Sequence, residues 1–271
     1  MLNLLAVDAA FLAMAMALVW AFQRAMKNGG WTDVFWSYVL GAAGVIVALV
    51  PIDGAPPTAR QWIVAVLIAV WGLRLGTHLA LRTAGRPEDA RYAGLRRKWG
   101  ARNDLMMFGF LEMQGAASFL LSLGVLVAAR RPGELSWQDS LGGALLAIAI
   151  LGEALADAQL TAFKADPANK GRICETGLWA WSRHPNYFFE WLAWVAYPVI
   201  AIDLSGRWNW GLVALIGPLL MYHLLNNVTG VRMLEYAMAK SRGAAFDAYK
   251  ARTSVFFPMP PKRSPAQGDL A

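Results

Sequence analysis

A single cysteine, Cys174, stands among 271 residues, so no disulfide can form within the chain. It reads as an ordinary small residue in a loop. The three histidines, His78, His184 and His223, do not combine with it in any zinc-ligand spacing, and no metal is expected. There is no GxGxxG and no Walker A sequence, no internal repeat and no nucleic-acid recognition motif. No Lys or Arg precedes the first apolar block, whereas Arg24 and Lys27 follow it. A cleaved signal peptide would carry a basic start and a small-residue cleavage site, so the block reads as a retained helix with its N-terminus outside.

What the chain does have is apolar residues in blocks. Hydrophobic residues make up 57% and the mean hydropathy is +0.39, against about 45–50% apolar in a soluble domain. A bilayer core of roughly 30 Å takes about 20 apolar residues per helix. Blocks near that length run over 2–22, 34–50, 61–81, 105–129, 137–163, 187–202 and 210–228. The expected fold is all-α, a polytopic bundle of about seven transmembrane helices in one domain, 1–257, with a flexible proline-rich tail over 258–271. The net charge of +7 does not call for nucleic acid. With the N-terminus outside, most Lys and Arg fall in the inner segments 23–33, 82–104, 164–187 and the tail, and only Arg60, Arg130, Arg131 and Arg207 fall outside. That is the positive-inside pattern, and it predicts a bacterial inner-membrane protein with a cytoplasmic C-terminus.

Polar residues inside the spans narrow the function. A charged side chain at the centre of a membrane helix costs roughly 2.5–3.5 kcal/mol on insertion scales. Arg74, His78 and Arg82 share one stripe of the third helix, with Trp71 one turn earlier. Glu153, Asp157 and Lys164 share a stripe of the fifth, and Asn186 and Glu190 one of the sixth, with Trp194 a turn deeper. Such stripes can simply pair with one another and hold a bundle together, which is the expectation for a scaffold or lipid-binding protein. Their meeting with the two most basic loops points instead to a polyanionic ligand. Arg82, Arg86, Arg91 and Tyr92 mark the first loop; Lys164, Lys170, Arg172 and Arg183 the second; Tyr249, Arg252 and Thr253 the tail. Arginine suits phosphate because its planar fork donates two hydrogen bonds at once. Ser182, Asn186 and Tyr187 can complete such a site.

The most specific stretch is Gly177-Leu-Trp-Ala-Trp-Ser-Arg-His-Pro-Asn-Tyr-Phe-Phe-Glu-Trp191. Pro185 sets a helix start, and Asn186 and Tyr187 lie at its positive end. This stretch resembles the C-terminal domain of the steroid 5-alpha-reductase family, in particular a bacterial branch of it. The segments from Trp71 to Arg82, Glu88 to Tyr92, Leu111 to Gly115 and Tyr249 to Pro258 are similar to other parts of that branch. The resemblance implies seven transmembrane helices, NADPH as cofactor and reduction of a carbon–carbon double bond conjugated to a carbonyl. It places the cofactor positions on Asp157, Lys164, Arg172, Asn186 and Glu190. Glu153 falls where the steroid enzymes carry asparagine, and their substrate-holding glutamate and tyrosine have no counterpart here.

On this reading Arg82, Arg86, Arg91, Arg172, Arg183 and Arg252 hold the phosphates, with Tyr92, Ser182, His184, Tyr249 and Thr253 around them, and Asn186 and Glu190 address the nicotinamide carboxamide. A buried donor aimed at the substrate carbonyl lowers the barrier; the candidates are His78 and Tyr187, with Asp33 in support. The substrate is a hydrophobic small molecule entering from the bilayer, and no protein partner is expected. A rival enzyme reading is a membrane methyltransferase using S-adenosylmethionine, since isoprenylcysteine carboxyl methyltransferases carry a similar Arg-His-Pro-x-Tyr stretch followed by a glutamate. S-adenosylmethionine has no phosphate, so phosphate chemistry separates the two.

Overall fold

Helix ends are set by local hydrogen bonds that satisfy otherwise orphaned backbone groups. Thr58 opens the third helix with a capping box: its hydroxyl accepts from the Gln61 N–H, and the Gln61 side chain accepts from the Thr58 N–H. Asp89 opens the fourth by accepting from the Arg91 N–H at 2.9 Å. The structure, a computed structural model, describes residues 1–52 and 54–262. The tail expected to be flexible falls partly outside these residues. Of its described part, the Met259 and Lys262 N–H groups donate to the carbonyls of Trp181 and Arg252, each at 2.9 Å.

Among the described residues ten α-helices follow in order: α1 Leu2–Met26, α2 Trp31–Leu49, α3 Ala59–Thr83, α4 Ala90–Trp99, α5 Asn103–Ala129, α6 Trp137–Ala165, α7 Pro185–Ala201, α8 Ile216–His223, α9 Val231–Arg242 and α10 Ala244–Arg252. Short 3-10 turns and one π-helical turn, Leu224–Val228, lie between them. No strand occurs among the described residues, and an isolated bridge pairs Ser182 with Ser254.

All seven apolar blocks are helical. Six helical stretches, Leu2–Met26, Trp31–Leu49, Ala59–Thr83, Ala90–Ala129, Trp137–Ala165 and Asn209–Arg242, are long and apolar enough to cross a membrane. The remaining block, α7, has 17 residues and carries Pro198 inside it. At 1.5 Å per residue it rises about 25 Å, short of a roughly 30 Å core. Large apolar side chains such as Leu2, Leu18, Leu73, Leu105 and Leu219 point outward; around a membrane span the surrounding solvent is lipid. The protein is an all-helical integral membrane protein.

By its contacts the chain divides into two compact units, with the breaks inside α6, α7 and α8. The first comprises Met1–Gly143 and Tyr197–Gly217, the second Ala144–Ala196 and Pro218 onward. In the first unit α2 and α3 approach at backbone distance where Gly41 meets Gly72. The buried Ser122 hydroxyl donates to Asp8 at 2.6 Å and ties α5 to α1. At the start of α3, Arg60 pairs with Asp139 and also donates to the carbonyls of Arg131, Gly133 and Glu134. Arg131 closes on the same carboxylate at 2.7 Å. Buried charges persist only when paired and hydrogen-bonded in this way. In the second unit α6 and α7 touch where the Phe189 ring lies over Gly152. Phe188, Trp191, Tyr222, Phe256 and Phe257 form an aromatic cluster with largely edge-to-face contacts.

Candidate functional site

In the first unit, polar residues gather where α1, α3 and α5 end or begin at the same level. The short connection between α1 and α2 contains Asn28, Gly29 and Gly30. The Gly29 N–H donates to Glu88 Oε1 at 2.7 Å, and the Asn28 amide donates to the Arg86 carbonyl at 3.3 Å. These bonds fix the 84–89 loop against the start of α2. Arg96 grips Glu88 from α4 at 2.8 Å. Asp33, in the first turn of α2, accepts from Arg91 Nη2 at 2.7 Å and from the Tyr92 hydroxyl at 2.6 Å. Arg91 also pairs with Asp89 at 3.0 Å. The first turn of α4 is thereby locked to the first turn of α2.

These loop carboxylates are held as anions. Burial alone would raise Glu88, but the Arg96 hydrogen bond and the Gly29 N–H outweigh it, and the carboxyl lies below its ordinary value. Burial likewise acts upward on Asp89, and the hydrogen bond and charge of Arg91 bring it below the usual range.

A cavity of about 240 Å³ lies beside this lock. Gly30, Asp33, Leu79, Arg82, Thr83, Arg86, Pro87 and Asp89 line it. Arg82 and Arg86 are exposed, and their guanidinium groups form no hydrogen bond or ion pair among the described residues. The carboxylates on the wall, Asp33 and Asp89, are both engaged by Arg91. The cavity therefore offers a threonine hydroxyl and two guanidinium groups that form no ion pair among the described residues, although the Arg82 charge is felt by Asp89. That set is suited to an anion with several oxygens.

In the second unit the Ser182–Tyr187 turn is built as one piece with the chain after α10. The Ser182 hydroxyl donates to the Phe256 carbonyl at 2.8 Å, and the Arg183 N–H donates to the Ser254 carbonyl at 2.8 Å. The Ser254 hydroxyl returns to the Trp181 carbonyl at 3.0 Å. Tyr249, buried, donates its hydroxyl to the Trp179 carbonyl at 2.6 Å. Burial raises this phenol above its ordinary value, so it remains a donor. Arg183 pairs with Glu235 of α9 at 2.7 Å and donates to the Thr253 carbonyl at 2.6 Å. His184 Nε2 lies 3.4 Å from the same Glu235 oxygen, and its ring stacks on Tyr187 with centroids 5.6 Å apart. The Asn186 amide donates to Asp157 at 3.3 Å, and Glu190 accepts from the Trp194 indole at 3.0 Å. Arg252 is paired with Glu175.

The expected site residues fall into the two units as follows. Asp33, His78, Arg82, Arg86, Arg91 and Tyr92 belong to the first; Asp157, Lys164, Arg172, Ser182, Arg183, His184, Tyr187, Asn186, Glu190, Tyr249, Arg252 and Thr253 belong to the second. Of six arginines expected at phosphates, Arg91, Arg183 and Arg252 are committed to carboxylates of their own unit. Arg82, Arg86 and the exposed Arg172 have no such partner among the described residues. Ser182 and Tyr249 spend their hydroxyl protons on backbone carbonyls. Sequence reasoning missed Glu235 and Glu175 as the partners of Arg183 and Arg252. The available signal was their rarity: Glu235 is one of only two carboxylates between 229 and 262, the other being Asp247.

No solved structure matches the chain. An uncharacterized protein of Schizosaccharomyces pombe is similar, 32% identical over 98 residues. The match covers 35% of this chain and 27% of that relative, so the chain spans little more than a quarter of the length of the curated relative it matches. A family model described as a protein of unknown function, DUF1295, matches residues 19–253. That match takes in most of both units, and the chain belongs to the DUF1295 family.

Proposed function

We propose that this protein is a membrane-embedded, NADPH-dependent reductase of a carbon–carbon double bond conjugated to a carbonyl in a lipid substrate. The observation that supports it is the cavity edged by Arg82 and Arg86, two guanidinium groups that line it and form no ion pair among the described residues. Its donor set fits a phosphate. At about 240 Å³ it is smaller than the roughly 300–1,000 Å³ usual for whole ligands, so it suits the phosphate-bearing end of a nucleotide and not an entire dinucleotide. In the second unit, Arg172 offers a further uncommitted guanidinium group, and Asn186 and Glu190 are the amide and carboxylate assigned to the carboxamide.

When bound, NADPH supplies a hydride. The chain's own residues orient and stabilise. Negative charge develops on the carbonyl oxygen of the substrate as its β-carbon is reduced, and a proton donor held near that oxygen lowers the barrier. His78 and Tyr187 are the donors assigned to it. Asp33, with both oxygens engaged by Arg91 and Tyr92, serves as a positioning residue that keeps α4 against α2. The distribution of basic residues supports a bacterial inner membrane with the N-terminus outside and the C-terminus cytoplasmic.

The test is equilibrium binding of NADPH, NADH and S-adenosylmethionine to detergent-purified protein. NADPH binds, and it binds at least ten-fold more tightly than NADH. The Arg82→Gln/Arg86→Gln double variant weakens NADPH by ten-fold or more. Binding of S-adenosylmethionine alone overturns the reductase in favour of a methyltransferase, and indifference to all three overturns both.

A further inference from the structure

The segment between α3 and α5 carries more cations than its carboxylates can match. Its two carboxylates are Glu88 and Asp89, and Asp104 follows in the first turn of α5. Glu88 is taken by Arg96, Asp89 by Arg91 and Asp104 by Arg24. Arg97, Lys98 and Arg102 are exposed and form no ion pair among the described residues.

Their height relative to the membrane follows from chain length. The stretch Ala90–Ala129 has 40 residues, which as one helix would extend about 60 Å, twice a bilayer core. Gly100 breaks it with φ at +51°, in the left-handed region that favours glycine. The chain resumes as α5 at Asn103. Thus α4 is set apart from the crossing helix and lies at the level where α3 ends and α5 begins. Tyr92, Leu95 and Trp99 of α4 pack into the core around Met107 and Leu111, and Trp99 touches the Phe110 ring with centroids 6.2 Å apart. The apolar face of α4 is therefore given to the protein, and its cations are left facing out.

Beyond Arg102 the surface changes within one turn. Leu105, Met106 and Phe108 of α5 are exposed apolar side chains. Cations followed along the surface by apolar side chains match, in order, the headgroup and the acyl chains of a phospholipid.

We propose that Arg97, Lys98 and Arg102 form a docking surface for anionic phospholipid headgroups. A Lys or Arg near a membrane surface contributes about five-fold to binding of anionic lipid. Three together contribute about a hundred-fold, and the contribution falls as salt screens it. None of the three lines the cavity, so the proposal stands apart from the reductase reading.

The test uses the full chain in detergent, titrated with phosphatidylglycerol, with phosphatidylcholine and with inorganic phosphate, the bound molecules being counted by native mass spectrometry. Phosphatidylglycerol is expected to bind far more tightly than phosphatidylcholine. The Arg97→Gln/Lys98→Gln/Arg102→Gln variant is expected to lose about a hundred-fold of that affinity, and the charge-preserving Arg97→Lys/Arg102→Lys variant to keep most of it. Arg82→Gln/Arg86→Gln keeps phosphatidylglycerol binding. Equal binding of the two lipids, an unchanged glutamine variant, or inorganic phosphate competing out phosphatidylglycerol at equal concentration overturns the proposal.

Discussion

Asp33 in α2 and Arg91 in α4 face each other across an ion pair of 2.7 Å, each side chain about a quarter exposed. The second Asp33 oxygen accepts from Tyr92, which is almost wholly buried. One carboxylate thus holds two consecutive residues of a helix whose other anchors are the Arg96–Glu88 pair and its packing. Removing it leaves the buried Tyr92 hydroxyl short of its carboxylate acceptor and Arg91 with Asp89 as its one remaining carboxylate partner among the described residues.

Asp33→Asn is accordingly expected to lower stability by about 1–3 kcal/mol, the range for stranding hydrogen-bonded polar groups, with the partial exposure keeping it below the cost of a fully buried pair. Tyr92→Phe removes one bond and costs less. Thermal unfolding of the detergent-solubilised protein measures both, and the ranking is the critical result. An Asp33→Asn variant as stable as the parent removes the lock.

The two classes of arginine separate stability from binding. Arg183→Ala and Arg252→Ala strand Glu235 and Glu175 and are expected to lower the thermal midpoint. Arg82→Ala and Arg86→Ala break no ion pair and stay within about 0.5 kcal/mol of the parent. Each is expected to weaken NADPH by roughly ten-fold or more, the worth of a charge-assisted hydrogen bond. Thermal scans paired with NADPH titrations distinguish the classes. If all four variants lose stability and binding in parallel, the division between engaged and open arginines has no functional content.

Helices and membrane character were legible in the sequence because lipid demands long apolar runs, and those runs are local. The break at Gly100 was visible as a glycine between basic residues, but only its backbone conformation separates α4 from α5. Ion pairing was not legible. Arg91 and Arg183 look alike in sequence to Arg82 and Arg86, and what distinguishes them is a carboxylate brought close by folding: Asp33, 58 positions away from Arg91, and Glu235, 52 positions from Arg183. The alternation of arginine with Glu88 and Asp89 was the local clue that part of that loop neutralises itself. Phosphate binding was read from arginine number, and the folded chain leaves only part of that number uncommitted.

Acid should loosen the 84–89 loop. Glu88 and Asp89 have folded-state values below their ordinary ones. A depressed carboxyl contributes stability that is present in full above its unfolded value, near 4, and is lost as pH falls through the folded value. Stability is therefore expected to be flat in this respect from pH 7 to about 5 and to decline below about 4. Glu88→Gln is expected to shallow that decline while lowering stability at pH 7. Midpoints measured at pH 3.5, 5 and 7 decide it; identical acid slopes in parent and variant would falsify the assignment.

Close helix approach makes the sharpest demand on a single residue at Gly72. A Cβ added there would sit 2.9 Å from the Ser37 carbonyl oxygen and 3.0 Å from Gly41 Cα, both backbone atoms of α2. Backbone cannot rotate away, so α2 and α3 must separate. At Gly76 the added atom would meet the Tyr38 ring at 2.5 Å, a side chain that can swing aside. At Gly94 nothing lies within 4 Å, and the residue is inside a helix. The expected order follows from these neighbours. Gly72→Ala costs about 1–3 kcal/mol by overpacking, and Gly76→Ala costs less. Gly94→Ala is neutral or gains up to about 1 kcal/mol from helix propensity. Because α3 carries Leu79 and Arg82 to the cavity and α2 carries Asp33, separating the two helices also moves opposite walls apart. Gly72→Ala should then weaken NADPH binding although the residue lies outside the cavity lining, and Gly94→Ala should leave it unchanged. Thermal scans and NADPH titrations of the three variants test the order directly, and a Gly72→Ala protein with parental stability would show that α2 and α3 do not meet at backbone distance.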